Sequence, residues 1–244
     1  MDNLEIINRY NEIVFGLQEK LEIQSFLDFT KKDSLSSKYD ETVNVKRLIN
    51  PNLDFKKKFN DLRYCSLELI YSICNVHLYF PYINNPIEDS FIHAGKIVYP
   101  YYENVATLRF YTYFHSALEK LYNYWDRIGD IIGMFFTEKI NDSNINFSNS
   151  LKLIPIDYQG TENYKWFADF KENDYNVFNE KRRNIVHHTL LSTDAVDKSL
   201  KNVTNQISVR ELIRERQLVL DFLCDQQRKT NIGFEKMINL MNKK

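Results

Sequence analysis

The feature that most constrains the fold is the stretch from Asn104 to about Thr137, which reads as one long helix. Leu108, Tyr111, Leu118, Leu121, Trp125, Ile128 and Ile132 recur at helical spacing and give it an apolar face. Beside that face runs a polar stripe of His115, Glu119, Asn123, Asp126 and Asp130, all within reach of i, i+3 or i+4 neighbours. Gly129 and Gly133 weaken the helix and predict a close approach by another helix. A helix of this length and patterning belongs at the centre of a bundle.

The remaining periodicities predict its partners. Leu4, Ile7, Ile13, Val14, Leu17, Leu21 and Phe26 predict a helix over 2–30, and Lys31 to Asn52, with Ser34, Ser36, Ser37 and Pro51, reads as a surface connection. A second helix runs from Phe55 to about Leu78. The Lys56-Lys57-Lys58 triplet opens it, more commonly a solvated face than a phosphate contact. Pro81, Pro86 and Pro100 punctuate a loop from 80 to 102, long enough to be a lid or an interface arm. Residues 140–160 read as irregular, with extended pieces around Leu151 to Ile156. A short helix over Glu162 to Phe170 and a longer one from Asp174 to about Leu190 follow. After a polar connection, Ser208 and Glu211 form a capping box opening a last helix, with Gly233 as a candidate break, that carries Leu212, Leu220, Leu223, Ile232 and Met237. The expectation is an all-α, antiparallel up-and-down bundle of about five main helices with long connecting loops. It forms one domain over 1–244, its core at about 53–240 and the helix 2–30 packed on it.

Composition matters mainly for what it excludes. A chain of 244 residues, 43% hydrophobic with six glycines and five prolines, has the material for a core and is not a disordered tract. Its net charge of −1 supplies no global basic field, so any nucleic-acid site must be local or built by two chains. Cys65, Cys74 and Cys224 lack metal spacing and read as small apolar residues in a reducing compartment. Met1 to Glu5 carries no signal-peptide pattern, and the apolar run Ile131 to Phe136 is too short to span a bilayer, so the expected location is cytoplasmic, with no membrane partner.

The chemistry concentrates in Lys181-Arg182-Arg183-Asn184-Ile185-Val186-His187-His188-Thr189-Leu190. Tyr175, Phe178 and Ile185 place this stretch on an amphipathic helix. Measured from Arg183, His187 lies about 40°, Asn184 about 100° and His188 about 140° around it. A permanent cation that can grip a phosphate, an amide that can orient it and two imidazoles that can move protons near neutral pH share one arc. For an isolated Arg and His at this spacing, ordinary surface pairing is the commoner outcome. Asn184, together with Asp126 and Asp130 as available supports for Arg183, favours a functional reading. A metal site built from His187, His188, His115, Asp126 and Asp130 is disfavoured. Adjacent helical histidines diverge by about 100°, and no H-E-x-x-H or paired cysteines occur. No metal is expected, nor, without a glycine-rich phosphate loop, a nucleotide cofactor of the Rossmann or P-loop kind. His77, His93 and His115 taken singly, and Trp166, read as core or surface residues.

Arg183-Asn184-Ile185-Val186-His187-His188 resembles the R-N-x-x-x-H form of the motif that marks the HEPN superfamily (higher eukaryotes and prokaryotes nucleotide-binding). Tyr124-Trp125-Asp126-Arg127-Ile128-Gly129-Asp130 is similar to the corresponding helix of its Cthe-type branch. The resemblance covers 104 to 190. It implies a helical bundle acting as a metal-independent endoribonuclease, without cofactor, in which the RNA 2′-OH attacks at a composite site of a homodimer. It also implies a role as toxin or antiphage effector, with an antitoxin or sensor protein as possible partner. Arg183, His188 and Asn184 take the catalytic positions; His187, Arg182, Asp126 and Asp130 are supporting or RNA-binding. Two alternatives stay open: a catalytically silent HEPN domain that binds nucleotide or RNA, and a dimeric interaction subunit of a defence complex. The chain departs from HEPN toxins silenced by AMP transfer, which carry Tyr two residues after the motif His; here that position is Leu190.

Overall fold

A computed structural model, described over residues 3–21, 34–137, 146–187 and 191–243, gives an all-α chain with one small hairpin. Its elements are α1 (Asn3–Lys20), α2 (Leu35–Ile49), α3 (Phe55–Tyr79), β1 (Phe91–His93), β2 (Lys96–Val98) and α4 (Val105–Thr137). They continue with α5 (Phe147–Ser150), α6 (Ile156–Gln159), α7 (Glu162–Phe170), α8 (Asn176–His187), α9 (Leu191–Lys201) and α10 (Gln206–Met241). The all-α class is as expected, but the helices outnumber the five anticipated. Among the described residues, no helix is long and apolar enough to cross a membrane.

Several connections turn out to be helical. Residues 35–49 form α2, because Ser34, read as a breaker, is its N-cap: its hydroxyl accepts the Ser37 N–H at 3.2 Å. Only a narrow stripe (Ser36, Tyr39, Thr42, Val43) is buried, which hides the period among polar residues. The extended pieces anticipated near 151–156 are instead a 3-10 turn over Leu151–Leu153 and α6. The polar connection after the motif helix contains α9, whose Ala195 and Ser199 are buried one turn apart. The last helix opens at Gln206, ahead of the anticipated capping box, because Asn205 Oδ1 accepts the N–H groups of Ile207 and Ser208 at 3.1 and 3.4 Å. It runs through Gly233 without a break. The 80–102 loop holds β1 and β2, joined by Ala94-Gly95 with φ of 49° and 73°, the left-handed pair of a tight two-residue hairpin turn.

The chain divides into two compact units. The first comprises Met1–Ile23, Ile70–Leu118 and Glu180–Asp225. Here Val14, Ile70 and Cys74 form a buried cluster flanked by Tyr10 and Leu17. The Tyr99 N–H donates to the Val203 carbonyl at 2.7 Å, tying the residue after β2 to the turn after α9.

The second unit comprises Gln24–Leu69, Glu119–Asn179 and Gln226–Lys244. Its core is aromatic. Trp125 is fully buried, with its ring centroid 4.1 Å from that of Phe170, and Trp166 stacks on Phe170 at 5.3 Å. Phe147, Phe167, Tyr175 and Phe178 complete the cluster. Both neighbouring glycines are required by packing. A Cβ on Gly129 would lie 2.7 Å from the backbone N and Cα of Phe147, and one on Gly233 would enter the Trp125 ring. The close approach at Gly129 is therefore made by the Asn146-Phe147 backbone that starts α5.

Candidate functional site

Arg183 to His187 of the motif lie on α8, part of a continuous helical run. α7 passes through a π turn over Lys171–Tyr175 directly into α8. Tyr175 and Phe178 are buried, as their spacing predicts. Beyond them the helix turns polar. Lys181 is exposed and sets its ammonium 5.0 Å from the centroid of the Phe222 ring; Arg182 is half-buried and engaged by its surroundings. Arg183 and Asn184 are exposed, and neither side chain makes a hydrogen bond or ion pair with another described residue. These cations lie in the C-terminal half of α8, the end that carries the negative pole of a helix dipole. His187 belongs to the last turn of α8. Its side chain, with those of Ile185 and Val186, and all of His188 lie outside the described residues.

The two acidic candidates are occupied within the second unit. Asp130 accepts from Lys58 Nζ at 2.7 Å, with Arg127 at 3.9 Å. Asp126 Oδ1 accepts the Phe147 N–H at 3.3 Å, and so holds the same backbone turn that Gly129 makes room for. Burial raises the Asp126 pKa above the usual carboxylate value, opposed by the hydrogen bonds from Phe147 and Tyr122. All five members of the polar stripe are half-buried rather than solvent-facing, and Asp126 and Asp130 among them are tethered.

Two arrangements in the first unit were not anticipated. Arg216 is 3% exposed; its Nη1 donates to the Asn84 carbonyl at 2.8 Å, its Nε to the Tyr111 hydroxyl at 3.4 Å, and the Tyr101 ring flanks it at 5.6 Å. Its signal was present in the sequence, for it continues the stripe Leu212, Leu220, Leu223 at one-turn spacing. Cys224 Sγ lies 3.4 Å from His77 Nε2, whose pKa burial lowers against the pull of Asp221. His77 is thus a partnered, half-buried side chain. His115 is also half-buried, and burial lowers its pKa. His93 sits exposed on β1. Among the described residues, no group of three or more His, Cys, Asp or Glu side chains is arranged to hold a metal ion.

What α8 offers chemically is an exposed guanidinium and amide on adjacent residues, with imidazoles three and four positions beyond the amide along the chain. The guanidinium can neutralise a phosphate, and the amide can fix its orientation or that of an imidazole. No protein-family model, no curated protein and no solved structure matches the chain.

Proposed function

We propose that the chain is a metal-independent endoribonuclease of the HEPN type that cleaves RNA at a composite site formed by two copies, serving as a toxin or antiphage effector. The observation that carries this reading is the Arg183-Asn184-x-x-x-His188 motif, with Arg183 and Asn184 exposed on α8 and unengaged by any other described residue.

The nucleophile is the substrate's own 2′-oxygen. The RNA 2′-oxygen attacks the adjacent phosphorus as a neutral imidazole takes its proton. The P–O5′ bond breaks as an imidazolium protonates the departing 5′-oxygen, leaving a 2′,3′-cyclic phosphate and a 5′-hydroxyl. Arg183 stabilises the charge that gathers on the non-bridging oxygens. Acid and base stand on opposite sides of the phosphorus, a separation that a single His188 does not span. Two copies related by a two-fold axis supply both imidazoles and both guanidiniums. Asn184 orients the phosphate or the imidazole; His187 and Arg182 hold the strand. Pooling two motif helices also gives a nearly neutral chain a basic cleft. Asp126 and Asp130 are supporting residues in this reading, acting through the second unit, where they hold the Phe147 N–H and Lys58.

Incubation with RNA in EDTA, comparing wild type with Arg183→Ala and His188→Ala, tests the reading, with sedimentation of the same samples. The expected result is cleavage by a wild-type dimer and its loss in both variants. Retention of RNA or nucleotide without cleavage would point to the silent binder instead.

A further inference from the structure

Within the second unit, α2 and the first turns of α3 line a cleft of about 430 Å³, in the size range of ligand sites. Each helix contributes four residues at the same spacing of i, i+3, i+4 and i+7. α2 gives Asp40, Val43, Asn44 and Arg47; α3 gives Lys56, Phe59, Asn60 and Arg63. This spacing puts each set on one face of its helix. Val43 and Phe59, 1% and 6% exposed, form the apolar floor; the amides and cations form the walls. Three cations face one carboxylate, a local excess of positive charge in a chain whose net charge is −1. A second cavity of about 440 Å³ shares Asn44 and Arg47 and continues along α2 past Leu48 and Pro51, so the depression is elongated. Leu48 is 84% exposed there, an apolar surface on which a base can rest. Arg47 is held by its own helix, its Nη1 donating to Asn44 Oδ1 at 3.3 Å, which leaves its remaining N–H groups for an anion.

We propose that this α2–α3 groove binds the phosphate backbone of a single-stranded nucleic acid. Arginines suit phosphate oxygens through paired N–H donors, lysine as a point charge and asparagine as a neutral donor. An elongated groove with a polar wall and apolar patches follows a strand rather than a compact ligand. The Lys56 of the lysine triplet is thereby a phosphate contact, while Lys58 is committed to Asp130. The groove belongs to a different part of the chain from the motif helix, and the proposal goes beyond the ribonuclease reading without depending on it.

The test is fluorescence anisotropy of a labelled 2′-O-methyl oligonucleotide, which lacks the 2′-hydroxyl nucleophile, titrated with the full chain at several salt concentrations. Arg47→Glu/Lys56→Glu is expected to weaken binding at least tenfold. Arg47→Gln/Lys56→Gln, which keeps the fold free of new like-charge contacts, is expected to flatten the log–log salt dependence by about 1.4, two phosphate contacts at about 0.7 each. Inorganic phosphate and a poly-glutamate peptide serve as competitors, both expected to be weak beside the oligonucleotide. Unchanged affinity and salt slope in both double variants would overturn the proposal. So would displacement by phosphate or poly-glutamate at equal charge concentration, which would mark a free-anion or acidic-protein site. Because the probe cannot be cleaved through its 2′-oxygen, this result is independent of whether the chain cuts RNA.

Discussion

Gly129→Ala should destabilise the second unit, although the same change in an open helix stabilises. Replacing a helical glycine by alanine ordinarily gains about 0.5–1 kcal/mol. At Gly129 the new methyl would sit 2.7 Å from the N and Cα of Phe147 and 2.9 Å from the carbonyl carbon of Asn146. All three are backbone atoms, so no side-chain rotation relieves the overlap. The Asn146-Phe147 turn must retreat by about 0.7 Å to reach ordinary contact, at an overpacking cost of about 1–3 kcal/mol. That retreat also lengthens the 3.3 Å bond from the Phe147 N–H to Asp126, a charge-assisted bond of about 1.5–3 kcal/mol if lost outright. The net expectation is a loss of about 1–3 kcal/mol. Both tryptophans, Trp125 and Trp166, lie in this unit, so the urea midpoint followed by their fluorescence reports it directly. Gly160→Ala, where an added Cβ meets nothing within 4 Å, is the control and should stay within about 0.5 kcal/mol of wild type. A Gly129→Ala protein as stable as the control would refute the packing argument.

The first unit should lose stability as the pH falls below the ordinary imidazole value. His77 and His115 both have pKa values lowered by burial, so their contribution is full above about 6.5 and is lost as the pH falls through the folded values. The urea midpoint by far-UV circular dichroism should therefore drop from pH 7.5 to 5.5, and less so in His77→Gln/His115→Gln; equal drops in both proteins would contradict it. Arg216→Ala should cost about 2–4 kcal/mol in the same assay, because it strips the partner from the buried Asn84 carbonyl. The exposed Arg214→Ala should change stability by less than about 0.5 kcal/mol, and equal effects at the two positions would sink the argument.

How much of this was legible in the sequence depended on the size of the buried face. α3, α4 and α7 were readable almost to the residue, because each repeats large apolar side chains over its whole length. Leu108 is the exception on the anticipated face of α4, at 49% exposure. α2 and α9 were missed because their buried stripes are made of Ser, Thr, Tyr, Val and Ala, residues that also compose connections. The cap of α10 was misplaced because Asn205 and Ser208 are both good cap residues three apart, and only the structure shows which one turns its side chain back. Of the candidate site, the exposure of Arg183 and Asn184 follows from the helical phase set by Tyr175 and Phe178. The tethering of Asp126 to Phe147 does not, for it joins residues 21 apart across a segment without periodicity. The α2–α3 groove was half visible, in the Lys56 triplet; its other wall belongs to the helix that was read as a connection.

If the motif moves a proton from the RNA's own 2′-hydroxyl, the chemistry of the product ends reports it. End-labelled RNA and its fully 2′-O-methylated counterpart are incubated in EDTA with wild type and with His188→Ala, and the product ends are mapped. The expected result is cleavage of the RNA alone, by wild type alone, leaving 2′,3′-cyclic phosphate and 5′-hydroxyl termini. Cleavage of the methylated strand, or cleavage of RNA that survives in His188→Ala, would contradict it.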